Sequence, residues 1–238
     1  MIKGDEFLSG QSSIVIIRID KCCDEQGFTY KKNGWHYLCE TMKQYTKNPR
    51  ITYRRSILFY YYKKYQPVSF FDSIFYNGPK SQRKIEDKWY QLPWVEGMPS
   101  YIDLKNEDHQ HFGPNSDRFG EKELRRIISV YEMIKLNGYL PKKYKDGYIR
   151  GYFLQKNNDY RFLITGGQHR IAALAVLEQK KIPVKIEPLR KRFINVKEVN
   201  EWPQVMNGFH EKDMAIEIFN SYFRNDGREK AKKMGLLQ

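Results

Sequence analysis

The sequence predicts an α/β protein in which helices pack on a small mixed sheet. The chain has 238 residues, 40% of them hydrophobic and 29% charged, a balance typical of globular proteins. Apolar runs such as Ser13–Ile17 have strand length and fall far below the roughly 20 residues of a membrane span. A strand-like run meets a helix-like run at a Gly-Gly turn near residue 166, a junction typical of α/β folds.

The first third of the chain predicts one strand and two helices. The strand is Ser13–Arg18, and the helices are about Gly34–Tyr45 and Tyr53–Tyr65. The second helix is crowded with aromatic residues among basic ones. This pattern favours core packing with exposed polar tips, and a base-stacking platform is the alternative.

Residues 76–118 predict irregular structure, because proline and glycine recur too often for long helices. Irregular segments of this length are often functional, so we expect it to wrap over the rest of the protein. His109 and His111 form an H-x-H pattern that can bind metal. No cysteine or carboxylate pattern completes such a site, and we predict no protein metal centre.

An amphipathic helix follows Gly120, because apolar residues recur at the spacing of one helix face. The stripe comprises Leu124, Ile127, Ile128, Tyr131 and Ile134. Asp117, Glu121 and Glu123 stand near its start, where carboxylates interact favourably with the helix dipole. Asn137-Gly138 and Pro141 predict its end.

A hairpin, a glycine turn, a helix and a strand come next. The hairpin strands are Tyr148–Leu154 and Tyr160–Ile164, joined by a turn at residues 155–159. The helix runs over Gln168–Leu177 and the strand over Ile182–Ile186. A further helix is predicted at Lys212–Phe223. We therefore divide the chain into an aromatic, basic N-terminal lobe (1–105), a core (106–190) and a C-terminal helical extension (191–238).

The net charge and the cysteine content indicate which partners and which compartment to expect. The net charge of +14 attracts anions, which include nucleotides, nucleic acids, acidic glycans and membrane surfaces. The three cysteines form no disulfide pattern, and the first residues lack the features of a signal peptide. We expect a cytoplasmic protein without a membrane span.

The Gly-Gly turn is the centre of the functional prediction. Gly166 and Gly167 allow the backbone to turn sharply and to approach a ligand closely. The first turn of the next helix offers free N–H groups to an anion. Arg170 can grip a phosphate, and His169 can donate to it or move a proton. A tight turn with a solvated His-Arg pair is the alternative.

The stretch Leu163–Leu177, followed by Ile182–Ile186, resembles the ParB/sulfiredoxin superfamily. Members share a strand, a G-x-[HR]-R-x-x-A motif that opens a helix, and a short IPV strand. The upstream Asn137–Pro141 segment is similar to the family's helix end before the hairpin. The resemblance covers about residues 112–187 and implies that Thr165, Gly166, Gly167, Gln168, His169 and Arg170 hold the phosphates of ATP or another nucleotide.

Several residues of this chain differ from the family's motifs, and these differences limit which of the family's activities the resemblance implies. Gln168 stands where sulfiredoxins carry their reactive cysteine, which argues against sulfinic-acid reduction. His169-Arg170 replaces the Arg-Arg of partition proteins. The residues that follow the core predict one helix, Lys212–Phe223, and we therefore do not expect the helix-turn-helix domain of those proteins. Free-serine kinases match best at His-Arg, although Gly166 replaces their aspartate. The run Gly167–Arg170 (Gly-Gln-His-Arg) is also similar to the DGQHR proteins linked to DNA modification, again without the aspartate.

The kinase resemblance also implies an acidic general base and Mg²⁺. Asp117 is the first candidate for the base and Glu121 the second; a helix N-terminal cap is the alternative role for Asp117. We expect His111, His169 and Arg170 to supply cationic and proton-transfer groups.

Two further segments indicate the class of molecule that would accept the phosphoryl group. Gly113–Ser116 and Val199–Gly208 resemble uncharacterised proteins of bacterial surface-polysaccharide gene clusters. The resemblance implies a sugar or glycan precursor, on which Trp94 and Trp202 could stack unless they are buried. The predicted function is nucleotide-dependent phosphoryl transfer to a small hydroxylated acceptor. The alternatives are a nucleic-acid-binding or nuclease-like regulatory protein, and a family member that binds nucleotide without catalysis.

Overall fold

A computed structural model describes residues 13–76, 78, 91–97, 108–144, 147–188 and 190–237 of the chain. Much of the predicted irregular region 76–118 lies outside these residues. Within them the protein is mixed α/β, with helices packed on a six-stranded mixed sheet, as predicted. None of the described helices is long and apolar enough to cross a membrane.

The sheet draws its strands from all three predicted segments. The strands are β1 (Ile14–Arg18), β2 (Cys22–Cys23), β3 (Arg150–Lys156), β4 (Asp159–Gly166), β5 (Lys181–Ile186) and β6 (Phe193–Asn195). Their order is β1-β5-β3-β4-β2, and β6 lies beside β3. The β1/β5 and β3/β4 pairs are antiparallel, whereas β3/β5, β3/β6 and β2/β4 are parallel. The domain boundaries remain a prediction.

The predicted helices are present with small shifts in their ends. The α-helices are α1 (Tyr37–Lys47), α2 (Ile57–Lys64), α3 (Phe70–Ser73), α4 (Asp117–Asn137), α5 (Gln168–Val176), α6 (Pro203–Met206), α7 (Lys212–Arg224) and α8 (Arg228–Lys233). Short 3₁₀ turns occupy Ile19–Lys21, Tyr53–Arg55 and Val196–Glu201. The predicted helix Tyr53–Tyr65 is thus a 3₁₀ turn and α2, separated by Ser56, which caps α2 by accepting from Phe59 N–H.

The β3–β4 hairpin is tighter than predicted. Lys156 pairs with Asp159, so the connection is only Asn157-Asn158, and the five-residue turn was wrong. Asn157 adopts φ 52°, a left-handed conformation that asparagine tolerates better than most residues. The two-residue turn therefore lets the two strands pair as far as Lys156 and Asp159.

The sheet has an apolar core on each face, because successive strand residues point to opposite sides. Phe153 packs in the cluster that includes residues of α1, α2, α4 and α5, whereas Tyr152 and Leu154 pack in a second cluster with α7. Tyr61 and Tyr62 of α2 are buried in the first cluster, which favours core packing over base stacking. Tyr60 is 46% exposed.

The two tryptophans considered for sugar stacking are buried in the second cluster. The rings of Trp94 and Trp202 lie 5.2 Å apart, and Trp94 Nε1 donates to the Tyr152 hydroxyl at 2.9 Å. Their exposed fractions are 5% and 3%. The alternative of buried packing therefore describes both side chains.

Candidate functional site

The Gly-Gly turn joins β4 to α5 as the sequence predicted. Gly167 caps α5 with φ 89° and ψ 27°, a left-handed conformation that favours glycine. The first helical hydrogen bond runs from Ile171 N–H to the Gly167 carbonyl. The N–H groups of Gln168, His169 and Arg170 therefore precede the helical ladder and are available to an anion.

Two guanidinium groups flank the turn. A Cβ atom at Gly166 would lie 3.2 Å from Arg150 Nε, and one at Gly167 would lie 2.9 Å from Arg170 Nη2. Arg170 also donates to the Gly147 carbonyl, which fixes its side chain. The glycines therefore let both arginines lie close to the backbone. Sequence analysis missed Arg150, because the hairpin register, rather than any local motif, brings it opposite Gly166.

The side chain of His169 points into the protein instead of towards the turn. Its Nε2 lies 2.6 Å from Glu123 Oε1, and both side chains are only 5% exposed. The carboxylate and the imidazole are thus in direct contact in a buried setting, and we call them the Glu123–His169 pair. Burial raises the pKa of Glu123, but His169, Arg126 and His111 outweigh it and hold that pKa below its ordinary value.

Asp117 and Glu121 do not approach His169. Asp117 pairs with Arg54, and Glu121 lies 4.0 Å from Arg125 on the exposed side of α4. The cap of α4 is Ser116, whose hydroxyl accepts from Phe119 N–H, so the cap role considered for Asp117 was wrong. The expectation that either carboxylate acts as a base remains a prediction.

Glu123 is the acidic residue of α4 that the fold brings to His169. It shares the buried face of the helix with Gly120, Leu124 and Ile127. A carboxylate on an apolar helix face is costly unless it is paired. The spacing of the apolar residues indicates that Glu123 lies on the buried face of α4. It does not indicate that His169 is its partner, because α4 and α5 meet only in the folded protein.

The segment Asp108–Ser116 lies beside this pair, and we call it the strap. The hydroxyls of Tyr37 and Tyr62 donate to the Gln110 carbonyl at 3.1 and 2.9 Å. Gln110 Nε2 donates to Gln168 Oε1 at 3.0 Å, which ties the strap to the first residue of α5. Arg126 Nη1 reaches Gln110 Oε1 at 3.5 Å. The strap therefore closes the space between α4 and the glycine turn.

His111 belongs to the strap, and its Nδ1 is buried without a hydrogen-bond partner among the described residues. Burial lowers the pKa of His111 to about 4, and the neighbouring His169 and His36 contribute, whereas Asp24 and Glu123 oppose the shift. The imidazole is therefore neutral near pH 7. It does not supply the positive charge that the sequence analysis expected of it.

Oxygen ligands for a metal are sparse at the turn. The Thr165 hydroxyl donates to Glu187 Oε2 at 2.9 Å, directly after β5. The described residues contain no group of three or more His, Cys, Asp or Glu side chains that could hold a metal ion. Mg²⁺, however, is often bound through one or two carboxylates and the phosphates of a substrate. Glu187 with Thr165 fits that arrangement.

Comparisons with models of protein families, with curated proteins and with solved structures found no match. The family resemblance therefore rests on the motif residues alone.

Proposed function

We propose that the chain binds the phosphates of ATP or another nucleotide at the Gly-Gly turn. The observation that carries the proposal is the convergence of three free N–H groups with the guanidiniums of Arg150 and Arg170. Each is a donor that favours an anion, and arginine suits phosphate because its fork can bond two oxygens. Thr165, Gly166, Gly167 and Gln168 contribute backbone to the same site.

We further propose phosphoryl transfer to a small hydroxylated acceptor, such as a sugar or glycan precursor. Glu123 holds His169 by Nε2, which leaves Nδ1 to take the proton of the acceptor hydroxyl. The acceptor oxygen then bonds to phosphorus, and the nucleotide leaves with the electrons of the broken P–O bond. Glu123 thus takes the place in this proposal that Asp117 and Glu121 held in the sequence analysis.

Two features of the site set the requirements of this reaction. The Glu123–His169 pair is buried, so the proposed transfer requires an opening towards the acceptor, and we propose that the contact between Gln110 and Gln168 is the one that opens. Mg²⁺ bound near Glu187 would neutralise charge on the phosphates. The three cysteines are free, which supports the cytoplasmic location that we propose.

Calorimetry tests the binding step. We expect ATP, ADP or CTP with Mg²⁺ to bind at micromolar concentration, and Arg150→Ala to weaken binding by about 10- to 100-fold, the value of one charge-assisted hydrogen bond. Arg125→Ala is the matched control, because Arg125 is exposed on α4 and lies 4.0 Å from Glu121. Absence of binding, or equal losses in both variants, would refute the site.

Turnover separates binding from chemistry. We expect Glu123→Gln to retain nucleotide binding and to lose most release of nucleoside diphosphate in a screen of sugar and amino-acid acceptors. The exposed Glu121→Gln variant should keep that activity. Binding without turnover on any acceptor would favour the family member that binds nucleotide without catalysis.

Nucleic-acid binding is the second candidate, and a basic cleft favours it. The cleft has a volume of about 780 Å³ and lies between α1, the end of α5 and the start of β5. Its cationic side chains are Arg18, Lys31, Lys32, Lys43, Lys180 and Lys181. Arg18, Lys32 and Lys43 pair with acidic residues of the same cleft, which weakens its attraction for phosphate. Nucleic-acid binding would fall steeply between low and moderate salt, whereas nucleotide binding at the turn would change little.

A further inference from the structure

The outer face of β5 and of the edge strand β1 adjoins an arginine that flanks the glycine turn. Arg150 of β3 pairs with Lys185 of β5, and Lys185 pairs in turn with Ile14 of β1. Paired residues of neighbouring strands point to the same side of a sheet, so these three side chains form one row across the strands. The row leads from the proposed phosphate site to the edge of the sheet.

The isoleucines on this face are exposed. Ile14 and Ile16 are 38% and 55% exposed, and Pro183, which pairs with Ile16, is partly buried. The opposite sides of the two strands are buried in the first cluster through residues such as Val15 and Val184. The second cluster covers the outer face at β3 and β4, but among the described residues it includes none from β1 or β5. We call Ile14, Ile16 and Pro183 the apolar shelf.

The end of the row next to the turn carries positive charge that is not neutralised. Among the described residues neither Lys185 nor Arg150 forms an ion pair. Glu187, the carboxylate nearest to Lys185 in the sequence, accepts a hydrogen bond from Thr165 Oγ1 at 2.9 Å. At the far end of the shelf, Arg18 pairs with an aspartate two residues further on. Two adjacent cations without acidic partners favour an anion, so Lys185 extends the positive charge of the turn along the row.

The dimensions of the row fit a nucleotide. Neighbouring strands lie about 4.8 Å apart, so Arg150 and Ile14 are about 10 Å from each other across β5, and Ile16 lies about 7 Å further along β1. A nucleotide whose phosphates contact Arg150 would therefore extend over β5 and place its base on the shelf. Removing the flat face of a base and the isoleucine side chains from water favours binding.

We propose that the apolar shelf binds the base of the nucleotide and that Lys185 binds a phosphate together with Arg150. The inference rests on the function proposed for the glycine turn, because the phosphates held there fix the position of the rest of the nucleotide. Ile14 and Ile16 contact the flat face of the base, and Lys185 lies between the base and the turn. The shelf thus adds the contacts that distinguish a nucleotide from a free phosphate chain.

Calorimetry with two ligands separates the shelf from the phosphate site. The ligands are ATP and methyl triphosphate, which has the same phosphates and no nucleoside, each with Mg²⁺. We expect ATP to bind about tenfold more tightly, and Ile16→Thr to remove most of that difference without changing the affinity for methyl triphosphate. Val68→Thr is the matched control, because Val68 is also β-branched and is 77% exposed. Lys185→Ala should weaken both ligands about tenfold, whereas Lys64→Ala, at an exposed position of α2, should weaken neither.

Methyl NMR gives a second readout that does not depend on affinity. In protein with isotope-labelled isoleucine methyl groups, the Ile16 signal is identified by its loss in Ile16→Val. The ring current of the base should shift that signal when ATP is added, and methyl triphosphate should leave it in place. Equal affinities for the two ligands, or an Ile16 signal that ATP does not move, would overturn the shelf and leave the phosphate site standing. Failure of both ligands to bind would overturn the phosphate site and the shelf together.

Discussion

Breaking the contact between Glu123 and His169 should reveal how strongly the two helices depend on it. Both side chains are 5% exposed, and the atoms Oε1 and Nε2 lie 2.6 Å apart. Interactions of this kind that involve a charged group contribute about 1.5–3 kcal/mol. We expect a coupling free energy in that range between Glu123→Gln and His169→Gln.

A double-mutant cycle measured by urea unfolding at pH 7 isolates the coupling, because the effects of each side chain alone cancel. Glu121→Gln is the matched control on the same helix, and it should change the free energy of unfolding by less than about 0.5 kcal/mol, as exposed substitutions do. A coupling energy near zero would refute the view that the buried contact stabilises the fold.

The pH dependence has a definite sign. The pKa of Glu123 is lower in the folded protein than its ordinary value of 4.5, so the folded state favours the ionised carboxylate. Its contribution is therefore complete above pH 4.5 and is lost as the pH falls below that value towards the folded pKa. The difference in stability between the wild type and Glu123→Gln should shrink over that interval. A difference that grows on acidification would contradict the sign.

Three further predictions concern the turn, the helix cap and the thiols. Gly167→Ala should lower the free energy of unfolding in urea by about 2 kcal/mol, because it combines a left-handed φ with crowding by Arg170. The control Gly235→Ala, at φ 68° in open space, should lower it by about 1 kcal/mol, and equal losses in the two variants would exclude crowding. Ser116→Ala should lower the free energy of unfolding by about 1 kcal/mol because it removes the cap of α4, whereas Ser129→Ala, at an exposed position of the same helix, should be neutral or stabilising. An unchanged free energy of unfolding for Ser116→Ala would show that the cap contributes nothing. Burial raises the pKa of Cys39 to about 12 and also raises those of Cys22 and Cys23, so iodoacetamide at pH 8 should label none of them until urea unfolds the chain; labelling of the native protein, seen by mass spectrometry, would contradict this burial.

The sequence predicted the elements whose signals are local. The apolar stripe of α4 runs from Leu124 to Ile134, about three turns, and Gly138 ends the helix with φ 75°. The glycine turn was equally readable, since a left-handed N-cap at Gly167 depends on the residue itself. In both cases the information lies within a few residues of the structure that it specifies.

The features that were missed depend on contacts between distant residues. β2 has two residues and β6 has three, which is too short for any alternating pattern, and both exist because they pair with β4 and β3. Arg150 reaches the glycine turn only through the hairpin register, and Glu123 reaches His169 only through the packing of α4 on α5. No signal within one segment identifies such partners.

The buried contact between Glu123 and His169 is informative because other side chains at these two positions could give an equally stable or a more stable protein. Replacing a buried ion pair with apolar side chains of similar volume is often neutral or stabilising. The surroundings of Glu123 are suited to such a replacement, since Leu124 and Ile127 share its helix face. A carboxylate and an imidazole kept in an apolar interface, beside the turn at which we propose that an anion binds, therefore fit the proposed role in moving a proton better than a role in holding the helices together.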